Sequence, residues 1–342
     1  MMVNTKQRNP LLDAVKGVLI LCIVLEHNRL LTNNYDWIRP FCDAFAAGCF
    51  LIFTFAWPTK RLPLTQYLDK NLAYLWPYII LISLTSVINF IIFSAVPLND
   101  AFINFIKALT TASPEVIKVS SGFMYLWFLP ALCFIYIIRY FSEYYPKATT
   151  IVAAIVWLNI GTIEDSTLIT SPFSLHVIGF IFFLGLIYQK LHPKLISSNI
   201  YIKSICITSF ITCSIASYFI GWELFLAAGI IPSWREPLLI LFYSYFMLIA
   251  IPGIYHLLSF APLGMNNFLI YLGKNSLIVY LIHPLIFIAF TQVFPIIDEP
   301  LTSFLLTIAL CLLVTLTLEK IPVLNQFFFP KKISFLIKNR DS

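Results

Sequence analysis

The sequence predicts an all-α, polytopic membrane protein of about ten transmembrane helices with both termini in the cytoplasm. Three observations predict it. Hydrophobic residues fill 60% of the 342 positions and charged residues only 11%, whereas a soluble domain carries roughly 25% charged residues; so few charges cannot cover a water-exposed surface. Apolar runs of the roughly 20 residues needed to cross a bilayer recur along the chain. The charges between them alternate in sign from one loop to the next, as the positive-inside rule requires.

The runs place helices at about 11–31, 37–57, 72–95, 122–141, 147–161, 172–190, 201–221, 237–258, 267–290 and 301–320. The fifth is short, and the fourth and eighth have turn residues close by. With the N-terminus inside, the inner segments carry Lys6 and Arg8; Lys60, Arg61 and Lys70; Arg139 and Lys147; Lys190, Lys194 and Lys203; and Lys331, Lys332, Lys338 and Arg340. The outer loops carry mostly acids: Asp36, Asp100, Glu115, Glu164, Asp165, Glu223, Asp298 and Glu299. Arg39, Lys107, Lys118 and Arg235 are their basic exceptions. The net charge of +6 is thus spent on topology, with no basic stripe for nucleic acid.

Residues 1–342 read as one membrane domain without repeats or a soluble appendage. Basic residues precede the first apolar run, as in a signal peptide. No small-residue cleavage site follows, however, and the run holds Asp13, Lys16, Glu26 and His27, so a retained first helix is expected. The stretch 96–121 is expected on the outer side, along the interface or over a site. The apolar and basic tail after Lys320 is expected to anchor at the membrane surface. The seven cysteines show no C-x-x-C and read as small buried apolar residues. With 11 glycines, close-packed glycine-rich helices are not expected.

Ionisable residues inside a membrane segment are costly, which makes them functional candidates. The first helix holds the richest set. Lys16 and His27 lie eleven residues apart, which returns them to nearly one helix face, about 16.5 Å apart along the axis. Asp13, one turn before Lys16, can pair with it or anchor the helix end. The ordinary pKa of His27 suits a general base, and Lys16 suits an anionic group presented from the cytoplasm. Glu26 points about 100° from His27 and could pair with Arg29 or shape the pocket.

The segment Asp13-Ala14-Val15-Lys16-Gly17, followed by His27, resembles the first helix of the acyltransferase-3 family of membrane acyltransferases, which places a basic residue eleven positions before a His. Leu126-Trp127-Phe128-Leu129-Pro130-Ala131-Leu132 resembles the family's Trp-Phe-Leu segment. Tyr271-Leu272-Gly273-Lys274-Asn275-Ser276-Leu277 with Tyr280-Leu281-Ile282-His283-Pro284-Leu285 resembles its penultimate helix. The resemblance implies an O-acyltransferase of the bacterial cytoplasmic membrane, with cytoplasmic acyl-CoA as donor and acetyl the expected group. It implies a glycan or lipid-linked glycan acceptor reached from the opposite face, and His27 as the essential residue. No metal and no nucleic acid are implied; beyond the acceptor, the partners are membrane lipids. On this reading Lys16, Asp13 and Lys70 bind the donor. The family's usual Arg pair before Pro-Tyr is missing: Asp69-Lys70-Asn71-Leu72-Ala73-Tyr74-Leu75-Trp76-Pro77-Tyr78 keeps Pro77 and Tyr78 with Lys70 as the nearest cation. The chain also has Glu26 where many members have Gly.

Glu26, Arg39, Trp127 and His283 are the candidates for the acceptor side. His283 could either stabilise a kink at Pro284, which leaves the Tyr280 carbonyl without a helix donor, or line the pocket. Trp127 could serve an aromatic interface belt or stack on a sugar. Arg39 could pair with Asp43 or meet an anionic glycan. His176, His192 and His256 have no partner at metal-ligand spacing. Ser121 and Ser276 are weaker candidates for a nucleophile. The competing function is a proton-coupled secondary transporter or flippase for a sugar-containing substrate, using Lys16, Glu26, His27 and His283. Against it stands the absence of any evident pair of Gly/Pro-broken helices.

Overall fold

The computed structural model describes residues 9–56, 63–93, 97–122, 124–159, 175–220, 237–289 and 299–332. Every regular element among them is helical. In chain order these are α1 (Pro10–His27), α2 (Arg29–Asn34), α3 (Ile38–Asp43), α4 (Ala46–Ile52), α5 (Leu64–Leu72), α6 (Leu75–Phe93), α7 (Leu98–Thr111), α8 (Pro114–Ser121) and α9 (Phe128–Tyr144). Then come α10 (Pro146–Asn159), α11 (Leu175–Leu195), α12 (Ile200–Ile220), α13 (Pro237–Leu258), α14 (Leu263–Lys274), α15 (Ser276–Ile288), α16 (Pro300–Lys320) and α17 (Pro322–Phe328). Single 3-10 turns follow α4 and precede α9. In lipid the backbone must satisfy its own hydrogen bonds, which is why long apolar runs become helices.

Among the described residues, five segments are long and apolar enough to cross a bilayer: Leu64–Ile91, Tyr125–Tyr144, Ile200–Ile220, Leu238–Leu258 and Pro300–Lys320. Counting α14 and α15 as one span makes six. Among the described residues the protein is therefore a helical membrane protein. Two expected helices prove discontinuous. The run 37–57 divides into α3, α4 and a 3-10 turn. The run 267–290 breaks at Asn275, where α14 and α15 meet with an 82° bend. There the Asn275 amide turns back to the carbonyls of Tyr271 (3.2 Å) and Leu272 (3.1 Å), and its side-chain Nδ2 donates to Tyr271 O at 3.3 Å. Asn and Ser side chains compete with helical hydrogen bonds in this way. The expected single helix over 267–290 is therefore two helices.

The chain forms two compact units. The first takes the described residues within 1–50, 191–223 and 243–315. Its core holds Phe45 against Phe210 (5.8 Å between ring centroids) and Phe246 (5.2 Å), with the Cys49 thiol donating to Met247 O at 3.2 Å. Here α1 packs along α14 and also touches α2, α3 and α15. Contrary to the expectation drawn from the low glycine content, α1 and α14 meet at glycines. A Cβ on Gly17 would fall on the Leu269 carbonyl, and one on Gly273 on the Asp13 carbonyl. Only a residue without a side chain lets two helix backbones approach this closely.

The second unit takes the described residues within 51–190, 224–242 and 316–342. Its α5 and α9 are joined by the Tyr67 hydroxyl donating to Tyr136 O at 2.6 Å. Tyr78 in α6 donates to Ala108 O in α7 at 2.5 Å, and Ser86 meets Ser120 of α8 at 2.8 Å. The described part of the stretch 96–121, from residue 97 on, holds two helices, and α7 exposes Leu98, Phe102, Ile103 and Ile106, which suits an interfacial position. Arg139, expected in an inner loop, lies inside α9 and is 3% exposed. Its guanidinium donates to the Thr54 carbonyl and sits over the Phe55 ring, 5.1 Å from the centroid. A buried cation is retained by such contacts. The tail helix α17 is tied back by Trp76 Nε1 donating to Phe327 O at 2.7 Å. Glu299 opens α16. Hydrogen bonds from the Thr302 hydroxyl and amide hold its carboxyl below the ordinary value.

Candidate active site

The first helix begins where Asn9-Pro10 allows it. The Asn9 side chain accepts from the Leu11 amide at 3.0 Å, and Pro10 occupies the first position, where its missing N–H costs nothing. Asp13 lies in the first turn, favourable for the helix dipole. The helix then runs without a break to His27, so Lys16 and His27 share one continuous helix, as their spacing predicts. The expected end at residue 31 is not reached, because Asn28 stops the helix. Its backbone is extended (φ −78°, ψ 94°); its amide closes α1 on Leu25 O at 3.1 Å, while its side-chain oxygen caps α2 by accepting from Leu31 N at 3.2 Å. His27 therefore occupies the last position of α1.

His27 meets His283 of α15. His27 Nδ1 lies 2.8 Å from His283 Nε2, with the ring planes parallel to within 2°. On its other side, His283 Nδ1 lies 3.0 Å from the Val279 carbonyl, and the Tyr280 carbonyl that Pro284 leaves without a helix donor is also in reach. These distances fix the tautomers of two neutral rings. A carbonyl only accepts, so His283 Nδ1 carries a proton and donates it. His283 Nε2 is then an acceptor, and His27 Nδ1 must be the donor. The lone pair of His27 is left on Nε2, the nitrogen on the other side of the ring from His283. A neighbour that fixes which ring nitrogen is basic is the device that prepares a histidine for proton abstraction. The two readings of His283, kink and pocket, thus both hold in one side chain.

Glu26 Oε1 lies 3.4 Å from His27 Nε2, with the two side chains 14% and 13% exposed. Sequence reasoning had them pointing apart. The helical angle sets where the two side chains leave the backbone, and the rotatable Glu26 chain is long enough to bring its carboxylate round to the neighbouring ring. Arg39 of α3 is half-buried and within electrostatic reach of His27; the side chain of Asp43 lies outside the described residues. Asp13 is 1% exposed, its carbonyl facing Gly273, and Lys16 is half-buried one turn on. The first unit thus brings His27, His283, Glu26 and Arg39 together and carries Asp13 and Lys16 lower on the same helix. Lys70 and Trp127 belong to the second unit. Lys70 is exposed in the last turn of α5. Trp127 is 3% exposed and packs edge-on against Phe128 at 6.1 Å, so the belt reading of Trp127 is replaced by a buried one. Ser121 donates to Ile117 O of its own helix at 2.8 Å. The side chain of His176 lies outside the described residues.

No spacing rule links His27 to His283, which are 256 residues apart. The one available signal is that two intramembrane histidines each need a partner, and each can supply it to the other. Replacing His283 with Phe keeps an aromatic ring, though a larger one, but removes the acceptor for His27 Nδ1. The expected result is a fall of about 100-fold in turnover with the melting temperature little changed; an unchanged turnover would show that the ring contact does not prepare His27.

A helical membrane protein with a tautomer-fixed histidine at a helix end, flanked by a carboxylate and a guanidinium, has the groups required for proton abstraction from an acceptor. Residues 9–319 match the family model for the acyltransferase domain of the acyltransferase-3 type, and the chain belongs to that family. No curated protein and no solved structure matches it.

Proposed function

We propose that this acyltransferase is an O-acyltransferase of the bacterial cytoplasmic membrane, with ten spans and both termini cytoplasmic, that moves an acyl group from cytoplasmic acyl-CoA to a hydroxyl of an envelope glycan. Acetyl is the group expected. The observation that supports this most is the His27–His283 contact, which leaves the basic lone pair on His27 Nε2. The acceptor hydroxyl gives its proton to Nε2 as its oxygen attacks the thioester carbonyl. The C–S bond then breaks, and the CoA thiolate leaves with the electron pair and takes the proton back from the imidazolium. Lys16 with Asp13, and separately Lys70, are proposed to hold the anionic donor. Arg39 and Trp127 are proposed for the glycan.

Full-length protein in nanodiscs, given radiolabelled acetyl-CoA and a glycan extract of the host envelope, is expected to release CoA thiol and to place the label on the glycan in ester linkage. The break between α14 and α15 is the one observation that favours a transporter, since discontinuous helices line many transport sites. Proton-dependent uptake of a sugar-containing substrate, with neither thiol release nor label transfer, would establish that alternative and remove the acyltransferase reading.

A further inference from the structure

Resting on that reading of His27, we infer that Glu26 is a positioning residue for proton transfer: its carboxylate stands at the nitrogen that takes the proton, and it stabilises the imidazolium formed there. The inference comes from counting protons along the chain Val279 O, His283, His27 and Glu26. The Val279 carbonyl and His283 Nε2 consume the donors on one side. His27 Nε2 then faces Glu26 Oε1 at 3.4 Å, longer than the roughly 2.7–2.9 Å of a charge-assisted N–H···O bond. The tautomer set by His283 leaves Nε2 without a hydrogen to donate across this gap. When Nε2 takes the hydroxyl proton, the same contact becomes an ion pair, attractive where it had been repulsive. The carboxylate therefore favours the state that exists only after proton transfer, which is the condition for an interaction to raise kcat rather than tighten ground-state binding.

The other charges around His27 sharpen the need for it. α1 packs against α2, α3, α14 and α15. From α3, the Arg39 guanidinium acts on the His27 ring, and a cation there opposes a second positive charge. From α15 come His283, neutral in this arrangement, and Tyr280, edge-on to His283 at 5.9 Å. Arg29 on α2 and Lys274 on α14 are exposed, where solvent screens them. In that setting Glu26 places a carboxylate in contact with His27. It supplies the counter-charge while His283 holds the tautomer from the opposite side. The proton borrowed from the acceptor hydroxyl returns to the departing thiolate, and His27 and Glu26 end unchanged.

The test measures CoA thiol release from acetyl-CoA by the full chain in native membranes as a function of pH. Glu26→Gln is expected to lower kcat about 100-fold and to move the acidic limb of the rate–pH profile about one pH unit toward lower pH, with KM for acetyl-CoA unchanged. Glu26→Asp is expected to retain most of the rate, and added formate to restore part of the activity of Glu26→Ala. Wild-type kcat with an unmoved limb in Glu26→Gln overturns the inference. So does a loss that neither the Asp variant nor formate relieves, since that marks a packing role. His27→Gln run in parallel separates the two ideas: if it is inactive while Glu26→Gln is normal, only the role of Glu26 falls; if it is fully active, the reading of His27 as base falls first.

Discussion

Replacing His27 with Ala or Gln is expected to lower kcat for acyl transfer by about 10³–10⁴-fold, near the upper end of what a positioned general base contributes. KM for acetyl-CoA should hardly change, because the donor is proposed to be held through Lys16 rather than through the imidazole. The protein should remain folded. His27 occupies the terminal residue of α1 and is 13% exposed, so its loss leaves the packing of α1 on α14 intact. The check is parallel: thiol release and ester formation on the glycan for activity, and a thermal melt of the purified protein for fold. A variant that melts like wild type and retains full transfer would show that the hydroxyl is activated by another group, and the chemistry assigned to α1 would have to move.

The second large effect falls on the fold. Gly273→Val is expected to destabilise the protein by more than about 3 kcal/mol, above the usual cost of overpacking, because the obstacle is backbone. A Cβ there coincides with the Asp13 carbonyl and comes close to the Gly17 amide nitrogen, and a helix backbone cannot step aside as a flexible side chain does. Gly17→Val is expected to act in the same way through the Leu269 carbonyl. Gly264, also in α14, has open space around it, so Gly264→Ala is the control. It is expected to be neutral or to gain up to about 1 kcal/mol from helix propensity. Melting temperature in one detergent compares the three. An ordinary melt for Gly273→Val would mean that α1 and α14 do not meet as described. Because α15 continues from α14, a displaced α14 would also carry His283 away from His27, so any Gly273→Val protein that folds should lose transfer as well.

These expectations differ in how far they were legible in sequence. The expected helices at 201–221 and 237–258 correspond to α12, Ile200–Ile220, and α13, Pro237–Leu258, because a continuous apolar run in lipid has no other way to satisfy its backbone. Lys16 and His27 could be placed on one face from spacing alone. The stop at Asn28 and the break at Asn275 were less visible. Asn is tolerated within a helix, and only the hydrogen bonds it makes to Leu31 in one case and Tyr271 in the other show that it has ended one. The contact between Glu26 and His27 was hidden for another reason: the helical angle fixes where neighbouring side chains start, and the Glu26 rotamer decides where its carboxylate ends. The buried place of Arg139 was hidden too, because its partner is the carbonyl of Thr54, and any residue type offers a carbonyl.

By itself the sequence determined that the chain is helical and membrane-embedded and that His27 is an ionisable group on the first helix, because these follow from local composition and from the cost of placing charge and unpaired backbone in lipid. Only the tertiary structure decided which nitrogen of His27 is basic and what flanks it. That depends on a hydrogen bond to His283, 256 residues away, and this bond exists because glycines on α1 and α14 let the two backbones touch and because the break at Asn275 turns α15 by 82° from α14.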